Sequence, residues 1–220
     1  RRDAAMPWVV AALAATSCCF SIVSLFAADP FRTLAVAPAD GRGLNPLLQH
    51  PLMAIHPPLL YLGMAGMAVP FAFALSALAA KPAAGSWLDP ARKWALTAWI
   101  FLTAGLLLGA NWAYVELGWG GYWGWDPVEN SSLIPWLAAT AFLHSALVQR
   151  RTGRLVAWNV LLAIGVHGLC LLGVFVTRSG IIASVHAVAR SSVGPCLAVI
   201  LALTVTVSAA LLAWRWPARQ

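Results

Sequence analysis

The sequence predicts an all-α, polytopic transmembrane helix bundle of about six spans, with its functional loops on the outer side. Three observations lead to that class. Hydrophobic residues make up 61% of the 220 positions and charged ones only 10%, for a mean hydropathy of +0.79, the balance of a membrane protein. A bilayer core asks for ~20 apolar residues per helical span, and the chain offers six such blocks, roughly Trp8–Ala28, Pro57–Ala80, Trp94–Trp112, Ser131–Gln149, Leu155–Thr177 and Pro195–Trp214. The cations sort to alternate ends of those blocks. Arg1, Arg2, Lys81, Arg92, Lys93, Arg150, Arg151, Arg154, Arg215 and Arg219 share one side, against Arg32, Arg42, Arg178 and Arg190 on the other. By the positive-inside bias, both termini and the 81–93 and 150–154 turns are cytoplasmic. The net charge of +7 therefore reads as topology and not as nucleic-acid binding.

The elements follow in order. Trp8–Ala28 is too long, and too poor in a small-residue cleavage pattern, for a cleaved signal peptide. A turn-rich outer loop ends in Asn45-Pro46-Leu47-Leu48-Gln49-His50-Pro51, a short structured segment on the membrane surface. His56-Pro57-Pro58 is expected to open the second span, with proline at a first helical position, which places His56 at the outer mouth. Asp89-Pro90 is the start signal of the third span, in which Gly105 and Gly109 form a small face for a close helix neighbour. Asp126-Pro127-Val128-Glu129 reads as a capping box starting the fourth. Cys18, Cys19, Cys170 and Cys196 fall within spans and form no Cys-x-x-Cys pair, so they read as packing residues.

The segment Gly118-Trp119-Gly120-Gly121-Tyr122-Trp123-Gly124-Trp125-Asp126 concentrates glycines and large aromatics in one outer connection. Glycines let backbone lie close to a flat object and indoles offer rigid faces to it, so the expected ligand is planar and largely apolar. Haem fits best. His56 and His186 flank this platform on the same side, one imidazole for each face of a haem, and Arg178 and Arg190 are candidate partners for its propionates. His144 falls inside the fourth span, where an ionisable group marks a functional site or a hydrogen bond to a neighbouring helix. His167, mid-way along the fifth, reads as a packing residue, and His50 is given no role. The chain carries no nucleophile elbow, no phosphate loop and no βαβ dinucleotide fingerprint, so ATP, NAD and serine-nucleophile chemistry are not expected.

The run from Trp119 to Ser132, reading WGGYWGWDPVENSS, resembles the tryptophan-rich "WWD" signature of haem-handling proteins in cytochrome c maturation. With His56-Pro57-Pro58-Leu59-Leu60-Tyr61 upstream, and Arg178-Ser179-Gly180 and Ser184-Val185-His186-Ala187 downstream, the match is to the CcmF/NrfE family of cytochrome c haem lyases, over about residues 45–190. The resemblance implies a bacterial inner-membrane lyase component, its active face periplasmic. Such a component takes haem from the chaperone CcmE and works with a CcmH-type subunit. Together they promote thioether attachment to apocytochrome c. It implies that His56 and His186 ligate the incoming haem and that Trp119, Gly120, Gly121, Tyr122, Trp123, Trp125 and Asp126 form the haem platform. It also implies that His144 helps hold a second, permanent haem b, whose other histidine belongs to a later family helix absent from these 220 residues. His167 or another subunit is then needed to complete that ligation. The chain reads as a single integral-membrane unit over 1–220, and the greater length of family members points to a fragment, a split-gene product or one piece of an assembly. A haem transporter or haem-presenting chaperone subunit, with no catalytic step, is the second reading. An unrelated multispan transporter with an interfacial aromatic belt is the third.

Overall fold

The computed structural model describes residues 5–41, 43–80, 85–186 and 192–216. Among them there are helices, turns and no strand. α1 (Met6–Ile22) continues as a wider π-helical turn over Val23–Ala28 and ends at Asp29 in the left-handed region. A single 3-10 turn (Pro46–Leu48) precedes α2 (Leu52–Gly66), which passes through Met67 into α3 (Ala68–Ala80). The long helices α4 (Leu88–Glu116), α5 (Pro127–Thr152), α6 (Val156–Ser179) and α7 (Val193–Arg215) complete the chain. With α2 and α3 counted together, six helical segments among the described residues are long and apolar enough to cross a membrane. The α2–α3 segment is the most buried of them and α1 the least.

Small residues set the packing. In lipid, helices gain little from hydrophobic exclusion, so close backbone approach and interhelical hydrogen bonds dominate association. A Cβ added at Gly63 would meet Leu102 at 2.6 Å, at Gly66 the Ala98 methyl at 2.8 Å, and at Gly105 the Leu60 backbone nitrogen at 2.7 Å. Glycines on both α2 and α4 thus bring these two helices into backbone contact, the close approach expected of the Gly105/Gly109 face. Below them, Ala74, Ala91, Ala95, Ala146 and Ala163 pack with Leu78, Trp87, Phe142 and Val160 in a core shared by α3, α4, α5 and α6. Met64, Met67, Leu102, Ala139, Val166 and Cys170 fill the middle.

A reciprocal pair joins α4 to α5. The Trp99 indole N–H donates to Thr140 Oγ1 and the Trp136 indole N–H donates to Thr103 Oγ1, both at 2.8 Å, while the two rings stack 5.6 Å apart. Each threonine hydroxyl in turn donates to the backbone carbonyl of the tryptophan four residues before it, so every polar atom of the clasp is used.

Two sequence expectations change. α2 begins at Leu52, a full turn before Pro57, with Met53 and Ala54 N–H bonded to His50 and Pro51 carbonyls. Pro57 and Pro58 therefore lie inside the helix, where they cost two intrahelical bonds, and His56 is carried on the helix body instead of at its mouth. Asp89 does not cap α4: it lies in the first turn and pairs with Arg150 at 2.8 Å, both side chains about half exposed. The charge complements the helix N-terminus all the same.

Candidate functional site

The site is built where residues 45–51, 117–126 and 180–186 meet at one end of the bundle. At α5 the expected capping box is present. The Asp126 carboxylate accepts the Val128 N–H at 3.0 Å, and the buried Glu129 carboxylate accepts the N–H groups of Asp126 (3.2 Å) and Gly124 (2.9 Å). Glu129 thereby fixes both the helix start and the last turn of the tryptophan-rich loop.

That loop has two faces. Trp119 folds back so that its indole N–H reaches the Gly121 carbonyl at 2.9 Å, and its ring lies over Gly124. A Cβ at position 124 would lie 2.9 Å from the indole, so only glycine admits this fold. Trp119 is then 6.3 Å, centroid to centroid, from the His186 ring, and Trp123 lines a small recess with His56 and His186. Gly120 takes a left-handed φ of +73°, and Gly121 has room around it. Trp125 and Tyr122 point the other way. Trp125 is 73% exposed with a left-handed φ of +56°, and Tyr122 stacks on Tyr114 at 4.6 Å. The predicted platform is therefore divided: Trp119 and Trp123 border the histidines, while Tyr122 and Trp125 form an outer surface.

The two predicted histidines share one cavity of about 370 Å³, lined also by Asn45, Tyr61, Trp112 and Arg178, a size within the usual range for small-molecule sites. His56 reaches it from α2. Its Nδ1 lies 2.7 Å from the Gly105 carbonyl, and its ring fills the space left by Gly109, where a Cβ would fall 2.5 Å from Cε1. His186 reaches it from the loop after α6. Its Nδ1 lies 3.2 Å from Asp126 Oδ2, an oxygen that also accepts the Ser184 hydroxyl at 2.6 Å. Trp112 braces the His186 ring edge-on at 5.4 Å, and its own N–H donates to the Leu47 carbonyl at 3.1 Å, tying the surface segment to α4. Among the described residues, both imidazoles are held through Nδ1, which leaves both Nε2 atoms for an iron. Metal-binding histidines characteristically donate their second ring N–H to a carbonyl or carboxylate in this way, so the chemistry of the two side chains would suit ligands to a haem iron.

Other predicted residues separate from this centre. Arg178 borders the cavity and lies over the Tyr61 ring at 5.8 Å, whereas Arg190 lies outside the described residues. His144 is exposed on the outer face of α5, its Nδ1 2.8 Å from the Thr140 carbonyl. His167 is buried and stacked on Phe71 at 4.4 Å, as packing would have it, with neither ring nitrogen hydrogen-bonded. The cavity beside it is lined by residues of α1, α2, α3 and α6, and His144 is not among them. The sequence reading assigned Trp112 no site role, marked Gly109 only for helix packing and Ser184 only as part of a resembling motif; the structure places all three at the site. A glycine and a tryptophan one helical turn apart, at the end of α4 next to the aromatic loop, were the available signal.

Comparison with known proteins follows the same segments. Residues 2–182 match the family described as cytochrome C assembly protein. The chain is 53% identical over 171 residues to the cytochrome c-type biogenesis protein CcmF of Haemophilus influenzae, covering 77% of this chain and 26% of that protein. It is 50% identical over 182 residues to CcmF of Escherichia coli, covering 82% and 28% respectively. With the probable cytochrome c-type biogenesis protein NrfE of Escherichia coli it shares 45% over 214 residues, covering 97% and 39%. A solved structure named cytochrome c haem lyase CcmF superposes with a TM-score of 0.76 at 40% identity, over 94% of this chain and 31% of the other. The chain thus spans about a quarter to two fifths of the length of these relatives.

Proposed function

We propose, on the premise that this chain belongs to the cytochrome C assembly protein family, that it is the haem-holding part of a cytochrome c haem lyase. Haem is the substrate. The observation that carries the reading is the pair of imidazoles on one cavity, each anchored through Nδ1, His56 to a carbonyl and His186 to a carboxylate. The Trp119 and Trp123 rings supply apolar walls beside that pair, and Arg178, with Arg190 as a second candidate, supplies cations for the propionates. The bound haem is presented to the two thiols of an apocytochrome c segment. Each thioether forms by adding S–H across a vinyl group: sulfur bonds to one vinyl carbon, hydrogen to the other, with no net oxidant consumed. Orientation and a fixed redox state are what such a reaction needs from the protein. A side-chain nucleophile is not.

The wider setting belongs to the same proposal. The bundle lies in a bacterial inner membrane with the histidine end periplasmic, as the distribution of cations favours. Its partners are apocytochrome c, a CcmE-type haem chaperone and a CcmH-type subunit. His144 supplies one ligand of a permanent haem b whose second ligand comes from another segment or subunit, since His144 faces outward from this bundle. The Tyr122 and Trp125 surface is the face offered to these partners, and Gly120, Gly121 and Asp126 shape the loop that carries it. Cells producing His56→Ala or His186→Ala test the reading: holocytochrome c output falls to background in both, and normal output in both removes the proposed role. Transfer of haem to apocytochrome without thioether formation supports the carrier reading instead, for which no separate feature of this site speaks.

A further inference from the structure

The two imidazoles are held by partners of different charge. His56 Nδ1 faces a neutral acceptor, the Gly105 carbonyl at 2.7 Å. His186 Nδ1 faces a carboxylate, Asp126 Oδ2 at 3.2 Å, and that side chain is only 10% exposed. A carboxylate draws more proton density from a ring N–H than a carbonyl does, and the opposite ring nitrogen becomes the stronger donor to iron. Asp126 Oδ2 is also shared. It takes the Ser184 hydroxyl at 2.6 Å and the Val128 N–H at 3.0 Å, so its pull on His186 is moderated by two competing donors. The Ser184 oxygen in turn accepts the His186 backbone N–H at 3.0 Å, which sets the turn that aims the ring.

We propose that the two axial positions are unequal: His186 is the retained ligand and His56 the exchangeable one, with Asp126 and Ser184 as the positioning residues that set this order. The proposal rests on the haem-holding reading above and adds to it a direction of exchange. An incoming ligand, or a departing haem, opens the His56 side first, while the iron stays attached to the loop after α6. Gly109 serves the same asymmetry. It gives the His56 ring room against α4, so that this ligand is placed by packing instead of by charge.

The test uses the full-length protein, purified with its accompanying subunits, loaded with haem and reduced. Carbon monoxide is the probe, since it replaces one axial imidazole. Photolysis of the complex then exposes the iron–imidazole stretch of whichever histidine stayed, read by resonance Raman. The expected result is one stretch common to wild type and His56→Ala, and absent or moved in His186→Ala. Asp126→Asn shifts that band to lower frequency. Ser184→Ala, by freeing the carboxylate for His186, shifts it to higher frequency. Asparagine caps helices as well as aspartate does, so loss of the cap does not explain the first shift. If Asp126→Asn fails to accumulate, the sign of the Ser184→Ala shift alone decides. A band unmoved in Ser184→Ala, or one lost in His56→Ala and kept in His186→Ala, overturns the proposal. A wild-type haem without a two-imidazole spectrum, or with one that survives both histidine substitutions, overturns the haem-holding reading itself.

Discussion

Gly109→Ala is the smallest change that strikes the site through packing alone. The added methyl falls 2.5 Å from His56 Cε1, 2.8 Å from Nδ1 and 3.1 Å from Nε2. Non-bonded carbons rest at ~3.5–4.0 Å, so the ring must retreat by about 1 Å. Parting α2 from α4 would relieve the clash only by giving up the close approach one turn earlier at Gly105, where a Cβ would lie 2.7 Å from the Leu60 nitrogen. Retreat stretches the 2.7 Å contact between Nδ1 and the Gly105 carbonyl beyond hydrogen-bonding range. The lost bond costs ~0.5–1.5 kcal/mol and the overpacking ~1–3 kcal/mol. For the reaction, a misplacement of this size costs ~10²-fold in rate. Holocytochrome c yield and the haem absorption of the purified protein read the effect, with immunoblotting to confirm that the chain accumulates. Gly165→Ala is the control: the space at its Cβ is open, and alanine favours a helix by ~0.8–1.0 kcal/mol. If Gly109→Ala accumulates normally with an unchanged haem spectrum and yield, His56 is not held by its packing against Gly109.

Gly124→Ala drives the Trp119 indole from its place, since a methyl there lies 2.9 Å from three ring atoms; haem retention is expected to fall several-fold, about 1 kcal/mol for one aromatic contact, and retention equal to wild type in a haem-dissociation assay contradicts the loop's role as a wall. Trp99→Phe, Thr140→Val and their combination form a double-mutant cycle on the α4–α5 clasp. Thermal unfolding in detergent is expected to show a coupling of ~0.6–1.7 kcal/mol, the range for hydrogen bonds within membranes, and strict additivity of the two losses rules the clasp out as a stabilising unit.

Much of this fold was written in local pattern. Six apolar blocks became six spans because lipid demands continuous helices of a set length, and Asp126-Pro127-Val128-Glu129 became a cap because those four residues satisfy each other without outside help. The departures came where distant partners intervene. Proline at 57 looked like a helix start, but the chain had already begun the helix at Leu52. Asp89 looked like a cap, but Arg150, sixty-one residues on, claims it. The sharing of one cavity by His56 and His186 was legible as a spacing of two histidines around an aromatic loop. The contact of His186 with Asp126 was not, because nothing local to either residue requires it. The loop itself hides which aromatic faces inward: with glycines at 118, 120, 121 and 124 it has no helical or strand period to read.

The clasp between Trp99, Trp136 and the two threonines has a mechanical consequence. α4 holds His56 in place through Gly105 and Gly109, and the first residue ahead of α5 holds His186 through its carboxylate. Locking α4 to α5 midway along their length makes the two supports parts of one frame. A change at either tryptophan or either threonine would therefore be felt at both imidazoles, through the helices that brace them.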